Sequence, residues 1–227
     1  MRCITTLLSP ADSYDLVTLD VVKAELQLTD DASDPWLKTA ITQVSAAMAR
    51  FCNRSNAIAS EASFAVETVQ DLFYPERDAY PFQVPGGASV LQLSHWPVTN
   101  ILEVNITDPA GATPQILVAD TDYVLDASVG QLIRLDAFMA YPTQWVPIRT
   151  AVKYSGGFDP IPDDVVDAAL RWVTMRWSDR GRDPNLKSLE QPMVGTKTYW
   201  VGAQPMTEGV PTEIASLLIK YRVPVSA

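Results

Sequence analysis

The sequence predicts an α+β fold: a small helical domain of about three helices, an antiparallel β unit inserted into it, and an extended C-terminal arm ending in a short helix. Three observations carry this. Two apolar stripes with helical spacing lie roughly 100 residues apart. The stretch between them alternates with a period of two. Beyond Asp183 the chain turns polar and weakly patterned before one last apolar stripe.

Thr18 caps a first short helix, with Asp20 near its positive start and Val21, Val22, Leu26 and Leu28 as its apolar groups. The polar run Thr29 to Ser33 ends it. A second helix opens with Asp34 as N-cap and Pro35 at the first helical position, where a missing N–H costs nothing. Leu37, Ala40, Ile41, Val44, Met48 and Phe51 then fall on one face, at offsets 0, 3, 4, 7, 11 and 14. Asn53-Arg54-Ser55-Asn56 closes the helix.

From about Glu61 the period changes to that of a strand. Leu102, Val104 and Ile106 alternate with Glu103, Asn105 and Thr107 before a turn at Asp108-Pro109-Ala110-Gly111. Gln115 to Val118, Tyr123 to Leu125 and Gln131 to Leu135 read as short strands. Ile148, Thr150, Val152 and Tyr154 alternate with Arg149, Ala151 and Lys153. Leu72 to Gly87, rich in Pro and aromatics, reads as a long loop or an irregular edge. Gly156-Gly157 ends the β unit. A third helix follows Pro162-Asp163-Asp164, with Val166, Ala169, Leu170, Val173 and Trp177 as its apolar face. A hairpin is expected around Thr196 to Val201, and a last helix carries Ile214, Leu217, Leu218 and Tyr221. The expected division is 16–58 with 158–183 as the helical domain, 60–156 as the β domain, and 184–227 as the arm.

Composition mostly excludes. The 227 residues are 47% apolar and 19% charged, which is globular rather than disordered. The net charge of −10 opposes a DNA-coating role, which needs Lys and Arg to displace counterions. Cys3 and Cys52 make no disulfide framework, and one histidine removes most imidazole metal designs. The N-terminal apolar run is too short and broken for a signal peptide, and no stretch is apolar enough to span a bilayer. The expectation is a soluble protein made in a reducing cytoplasm, with no cofactor and no membrane partner.

Individual residues weigh the same way. His95 shows no readable Ser or Asp partner and reads as structural. Asp120, Asp122 and Asp126 hint at calcium, but the sixth and twelfth loop positions are Leu125 and Gln131, not Gly and Glu. Gly156-Gly157 lacks a phosphate-loop Lys and reads as a turn. Trp172 and Trp177 read as core. Arg171, Arg176, Arg180, Arg182 and Lys187 form the main basic concentration; a solvated helix end and a contact with a neighbouring molecule both remain open. The last helix is too short to stand alone in water. It either folds back or inserts into a partner, and the weakly patterned segment before it favours the partner. Removing residues 205–227 is then expected to leave the core folded.

In order and spacing the chain resembles the head–tail connector (adaptor) proteins of tailed bacteriophages and gene transfer agents. The matching stretches are Leu19 to Leu26, Asp34-Pro35-Trp36-Leu37 with Ile41, and Ala49-Arg50-Phe51-Cys52-Asn53-Arg54. His95-Trp96-Pro97-Val98-Thr99-Asn100-Ile101, Tyr154-Ser155-Gly156-Gly157-Phe158 and Pro162 to Ala169 complete them, so the resemblance covers 16 to 180. It implies a non-enzymatic homo-oligomeric ring, commonly of twelve copies, beneath the portal protein of a virion. The next neck or tail-completion protein would bind the opposite face, and DNA would pass through the channel. Assembly would take place in the host cytoplasm. Ile214, Leu217, Leu218, Tyr221 and Val223 are the expected portal-docking residues. Arg176, Arg180, Arg182 and Lys187 are the expected inter-subunit or portal contacts. The alternative is a β-sandwich-type binding module that recognises a carbohydrate or peptide through Phe73, Tyr74, Tyr80, Phe82 and Trp96.

Overall fold

The computed structural model describes residues 2–54, 63–74, 90–107, 114–136, 138, 141–145, 148–180, 188–191, 195–198 and 206–223. The chain divides into two units, each built from separated stretches. One comprises Met1–Tyr14, Asn53–Pro162 and Val223–Ala227; the other comprises Asp15–Cys52 and Asp163–Arg222.

The second unit is helical. It holds α1 (Leu19–Glu25), α2 (Asp34–Phe51), α3 (Asp163–Asp179) and α4 (Thr212–Leu218), four helices where about three were expected. The Thr18 hydroxyl accepts the Val21 N–H, as its capping role requires. α2 buries all six residues of its apolar stripe. Its cap differs by one position: Ser33 stands at the N-cap and Asp34 is already helical. The Asp34 carboxylate is drawn instead to Lys23 Nζ at 3.0 Å, which also meets Asp31 at 2.6 Å.

α3 is rotated by one residue from the expected face. Val165, Ala168, Ala169, Trp172 and Val173 are buried, and Val166 and Trp177 are not. The small alanines let α3 approach its neighbours closely, and Trp172 fills the space that remains. Trp177 packs edge-on against Trp36, with ring centroids 5.6 Å apart, nearer the surface.

The first unit contains two antiparallel sheets. In the larger, β1 (Arg2–Ser9), β2 (Glu67–Tyr74), β9 (Arg149–Gly156), β4 (Val98–Thr107) and β5 (Gln115–Ile116) lie in the order β1-β2-β9-β4-β5. In the smaller, β3 (Val90–Gln92), β7 (Gln131–Leu135) and β6 (Tyr123–Asp126) are joined by β8 (Pro142–Thr143), which pairs with β7. Thr150, Val152 and Tyr154 alternate inward on the central strand β9, and β2 alternates with it. Val69, Val104, Leu132 and Trp145 fill the core between them.

Three sequence expectations change here. Leu72–Tyr74 complete β2 rather than opening a loop; 75–89 lie outside the described residues. The N-terminal run forms an edge strand. Leu102 does not join Val104 and Ile106 in the core: pairing with β9 shifts between Ile101 and Glu103, and Leu102 is left 54% exposed. The extra residue of that bulge reverses the alternation upstream of it, so Ile101 turns inward.

Later in the chain, β10 (Ser188–Gln191) pairs with β11 (Gly195–Thr198), and β12 (Met206–Thr207) with β13 (Val210–Pro211). Residues 206–222 belong to the helical unit rather than to a detached arm.

Gly157 closes the β unit at φ +129, a region that favours glycine. A Cβ there would overlap the Ala65 carbonyl. Gly157→Ala is expected to cost more than about 1 kcal/mol in denaturant unfolding, because strain and overlap add.

Candidate functional site

The C-terminal helix is the first candidate, and the structure shows where its apolar face goes. The β12–β13 turn, with Glu208 at φ 51 and Gly209 at φ 82, reverses the chain and returns α4 to α2 and α3. Ile214, Ala215 and Leu218 are fully covered there, Leu217 and Tyr221 are half-buried, and Val223 is buried in the β unit. The apolar face therefore finds its cover within its own chain. Polar contacts fix it further. The Tyr221 hydroxyl donates to Asp164 Oδ1 at 2.6 Å, and Lys220 Nζ meets Asp164 Oδ2 at 2.6 Å. The Arg222 guanidinium donates to both Glu208 oxygens and stacks 4.7 Å over Phe51. The Cys52 thiol points at the Leu218 carbonyl.

The basic residues are also engaged within their own unit. Arg176 donates to Gln43 Oε1 at 2.7 Å. Arg180 lies 5.2 and 5.1 Å from the Trp36 and Trp177 rings and donates to Ser33 Oγ. Arg171 pairs with Asp167 and Glu213. Arg182 and Lys187 lie outside the described residues.

In the β unit the sequence missed a polar cluster. The buried Asp71 carboxylate accepts from Thr5 Oγ1 at 2.6 Å and from Ser94 N, Ser94 Oγ and the Tyr154 hydroxyl, each at 2.8 Å. Ser94 Oγ lies 3.2 Å from His95 Nδ1, and His95 Nε2 lies 3.3 Å from Glu67 Oε2. This is a Ser–His–acid succession, but its protons run the wrong way for a nucleophile. The single Ser94 hydroxyl proton goes to Asp71 rather than to the imidazole, and His95 is 2% exposed. Burial, then the Asp71 charge, pushes the Tyr154 phenol well above its ordinary pKa, so it remains a donor. The cluster braces strands. The same carboxylate, after burial itself, raises the half-buried Cys3 thiol to about 12.

From the sequence Arg54 is only part of the run that closes the second helix and of one matching stretch; the structure makes it the centre of a second buried polar site. It is 1% exposed, with its guanidinium 5.0, 4.7 and 4.9 Å from the Phe64, Trp96 and Phe158 rings, and Nη1 donates to the Trp96 carbonyl at 2.8 Å. Trp96 is thereby occupied and Phe73 is buried, which leaves Tyr74 as the described exposed member of the five aromatics of the alternative reading; Tyr80 and Phe82 lie outside the described residues. Asp122 accepts the Val118 N–H, and Asp126 accepts from Ser128 N and Oγ, as turn carboxylates do. Among the described residues no group of three His, Cys, Asp or Glu is placed to hold a metal.

Ile214→Asp puts a charge into the covered face of α4 and is expected to lower unfolding free energy by about 3 kcal/mol or more, read by chemical denaturation. Removal of 206–227 is expected to melt the helical unit, visible as lost far-UV dichroism, rather than to leave it intact. The Asp164 contacts add a pH signature. Burial raises the Asp164 pKa, but Lys220 and Tyr221 together outweigh it and hold the carboxyl below its ordinary value. A depressed folded-state pKa stabilises fully above the ordinary value of about 4 and fades as pH falls through the lowered one. Amide protection in α4 is expected to decline below about pH 4, and Asp164→Asn is expected to flatten that decline.

No family model matches the chain, and no curated protein does. Solved structures do. A chain in the neck of an empty GTA particle aligns with a TM-score of 0.54 and 14% identity, covering 99% of this chain and 97% of the other. A chain in the virion of a native gene transfer agent particle aligns with a TM-score of 0.53 and 14% identity, covering 98% and 97%. Across nearly its whole length, this chain has the fold of chains that build gene transfer agent particles.

Proposed function

We propose that this chain is a structural adaptor in the neck of a tailed phage or phage-like particle. Copies form a closed ring under the portal vertex and join the DNA-filled head to the neck and tail. The observation that carries this is the likeness in fold to a gene transfer agent neck chain over 99% of the sequence, which matches the order of motifs in the sequence itself. The charge fits the role. A body with a net charge of −10 repels phosphates, so DNA can slide through a ring of such subunits without sticking. The polar cluster around Asp71 and the cation box of Arg54 are built for rigidity, which a joint under load requires.

The portal contact is the C-terminal segment in this reading, with one revision. Ile214, Leu218 and Val223 hold the segment to its own chain. Docking then falls to the outer side of α4 and the turn after it, where Leu217 is half-buried and Ile219 is exposed. Arg176 and Arg180 stiffen the end of α3 beside Gln43 and the two tryptophans and present the remainder of their charge to a neighbour.

The test is co-expression of the full chain with a candidate portal protein of the same particle, followed by electron cryo-microscopy of the purified complex. A ring of this chain seated on the portal is expected. Ile219→Asp is expected to weaken the portal complex at least tenfold without changing the melting temperature. A chain that remains monomeric and apart from the portal, in particles as well as in solution, would overturn the assignment.

A further inference from the structure

Among the described side chains, most cations meet a carboxylate or lie over an aromatic ring, as Lys23, Lys153 and Arg180 do. Lys38, Arg50 and Arg176 meet neither, and all three sit on the outer side of α2. Lys38 and Arg50 are exposed residues of that helix, about 18 Å apart along its axis, and Arg176 donates to Gln43 between them. Thr39 and Thr42, also exposed there, are uncharged. No acid occurs from Pro35 through Arg54, in a chain with 27 acids among 227 residues. Arg50 is favoured by the negative end of its own helix. Lys38 is not. It stands in the second turn from the positive end, and Asp34, four residues before it, turns to Lys23 instead.

The same helical unit carries a surface of the opposite sign. A groove of about 430 Å³ opens between the end of α1, the outer side of α3 and the start of α4, lined by Glu25, Asp167, Leu170, Arg171, Met175 and Glu213. Three carboxylates share one guanidinium there, which pairs with Asp167 at 2.8 Å and with Glu213 at 3.4 Å. Glu25 meets no cation among the described residues, and it closes α1 at the negative end of the helix, where an acid is disfavoured. Leu170 and Met175 offer apolar surface to the methylene stem of a long cationic side chain. No α2 residue lines this groove, so the cationic strip and the acidic groove lie on different sides of one unit.

We propose that the outer face of α2 on one copy docks on the α1–α3–α4 groove of a second copy, so that Lys38, Arg50 and Arg176 face Glu25, Asp167 and Glu213 across the contact. The occupant is a second copy because both halves of the match belong to this chain: unmatched cations on one side, a surplus of acids on the other. The halves are different patches, so the contact is heterologous and repeats head to tail until it closes. Two bodies of net charge −10 repel each other, and setting the acid-free strip of one against the acids of the next reverses that repulsion where they meet. Duplex DNA is the competing acidic partner. Its grip grows with the number of phosphates neutralised, and a few cations spread along about 18 Å neutralise few. The inference rests on the ring reading above and specifies which faces of neighbouring copies touch.

The experiment uses the full chain with the candidate portal protein and three variants. One carries Lys38→Glu with Arg50→Glu, one carries Glu25→Lys with Glu213→Lys, and the third carries all four substitutions. The four side chains are exposed, and each variant is expected to melt within about 4 °C of wild type. Each two-residue variant is expected to enter rings at least tenfold less than wild type, read by native mass spectrometry and electron microscopy. The four-residue variant, in which both faces are reversed, is expected to recover rings to within about threefold of wild type. Rings of wild-type yield from either two-residue variant overturn the proposal and leave the adaptor assignment standing. Loss in both without recovery in the four-residue variant also overturns it, since each face then meets some other partner, the portal included. Intact rings with lost duplex DNA binding in the α2 variant assign the strip to phosphates and overturn it as well. Failure of the wild-type chain to form a ring with the portal overturns both readings.

Discussion

The β unit depends on how one buried carboxylate is satisfied. Asp71 sits at 0% exposure, where an unpaired charge would cost several kcal/mol. Four donors converge on it, from β1 through Thr5, from the turn after β3 through Ser94, and from β9 through Tyr154. Asp71 itself lies on β2, so a single acid ties together segments far apart in sequence. Tyr154 is used twice, since its oxygen also accepts the His95 N–H at 2.9 Å. Apolar alternation already sets the register, since a slip of one residue turns every buried side chain outward. A network of directed bonds at these lengths adds to this, because the same slip would also strand a charge.

The Arg54 box works by the same logic with the opposite sign. Three ring faces offer the guanidinium partial negative charge, and the Trp96 carbonyl takes one N–H. The box gathers the second residue of the β unit after α2, the stretch before β2, and the turns beside β4 and β9. Nearby, Asn53 Nδ2 donates to the Val223 carbonyl at 3.0 Å, so two places where the chain crosses from one unit to the other are joined inside the β unit. The sequence crosses between the units at 14/15, 52/53, 162/163 and 222/223. Such interleaving makes each unit depend on stretches that are remote in the chain, and it explains why the last residues are not a detachable arm.

Local patterns were legible where one period had one solution. The α2 stripe and the Thr18 cap are of this kind, as is the alternation of β9. α3 was ambiguous: Val165 and Val166 each begin an apolar series at helical spacing, and the choice between them lies in the volume that Trp172 must fill. The bulge at Leu102 leaves no trace in composition, because it is a property of the pairing with β9. The Asp71 cluster was hidden for a related reason, since its members lie 23 to 83 residues apart. The cover of α4 was the least legible feature. A short apolar helix announces that it needs a partner, but only the turn at Glu208-Gly209 decides that the partner is its own chain.

The two cysteines carry a last consequence. Cys52 is sealed beneath the final helix, and the Cys3 thiol is held at about 12 by burial and by the Asp71 charge. Cys3 is thereby kept a thiol near neutrality, Cys52 is out of reach of solvent, and the thiolate is the species that attacks disulfides and oxidants. Thiol–disulfide exchange therefore finds no ready attacking group at either cysteine, and neither scrambling nor cross-linking has an easy start.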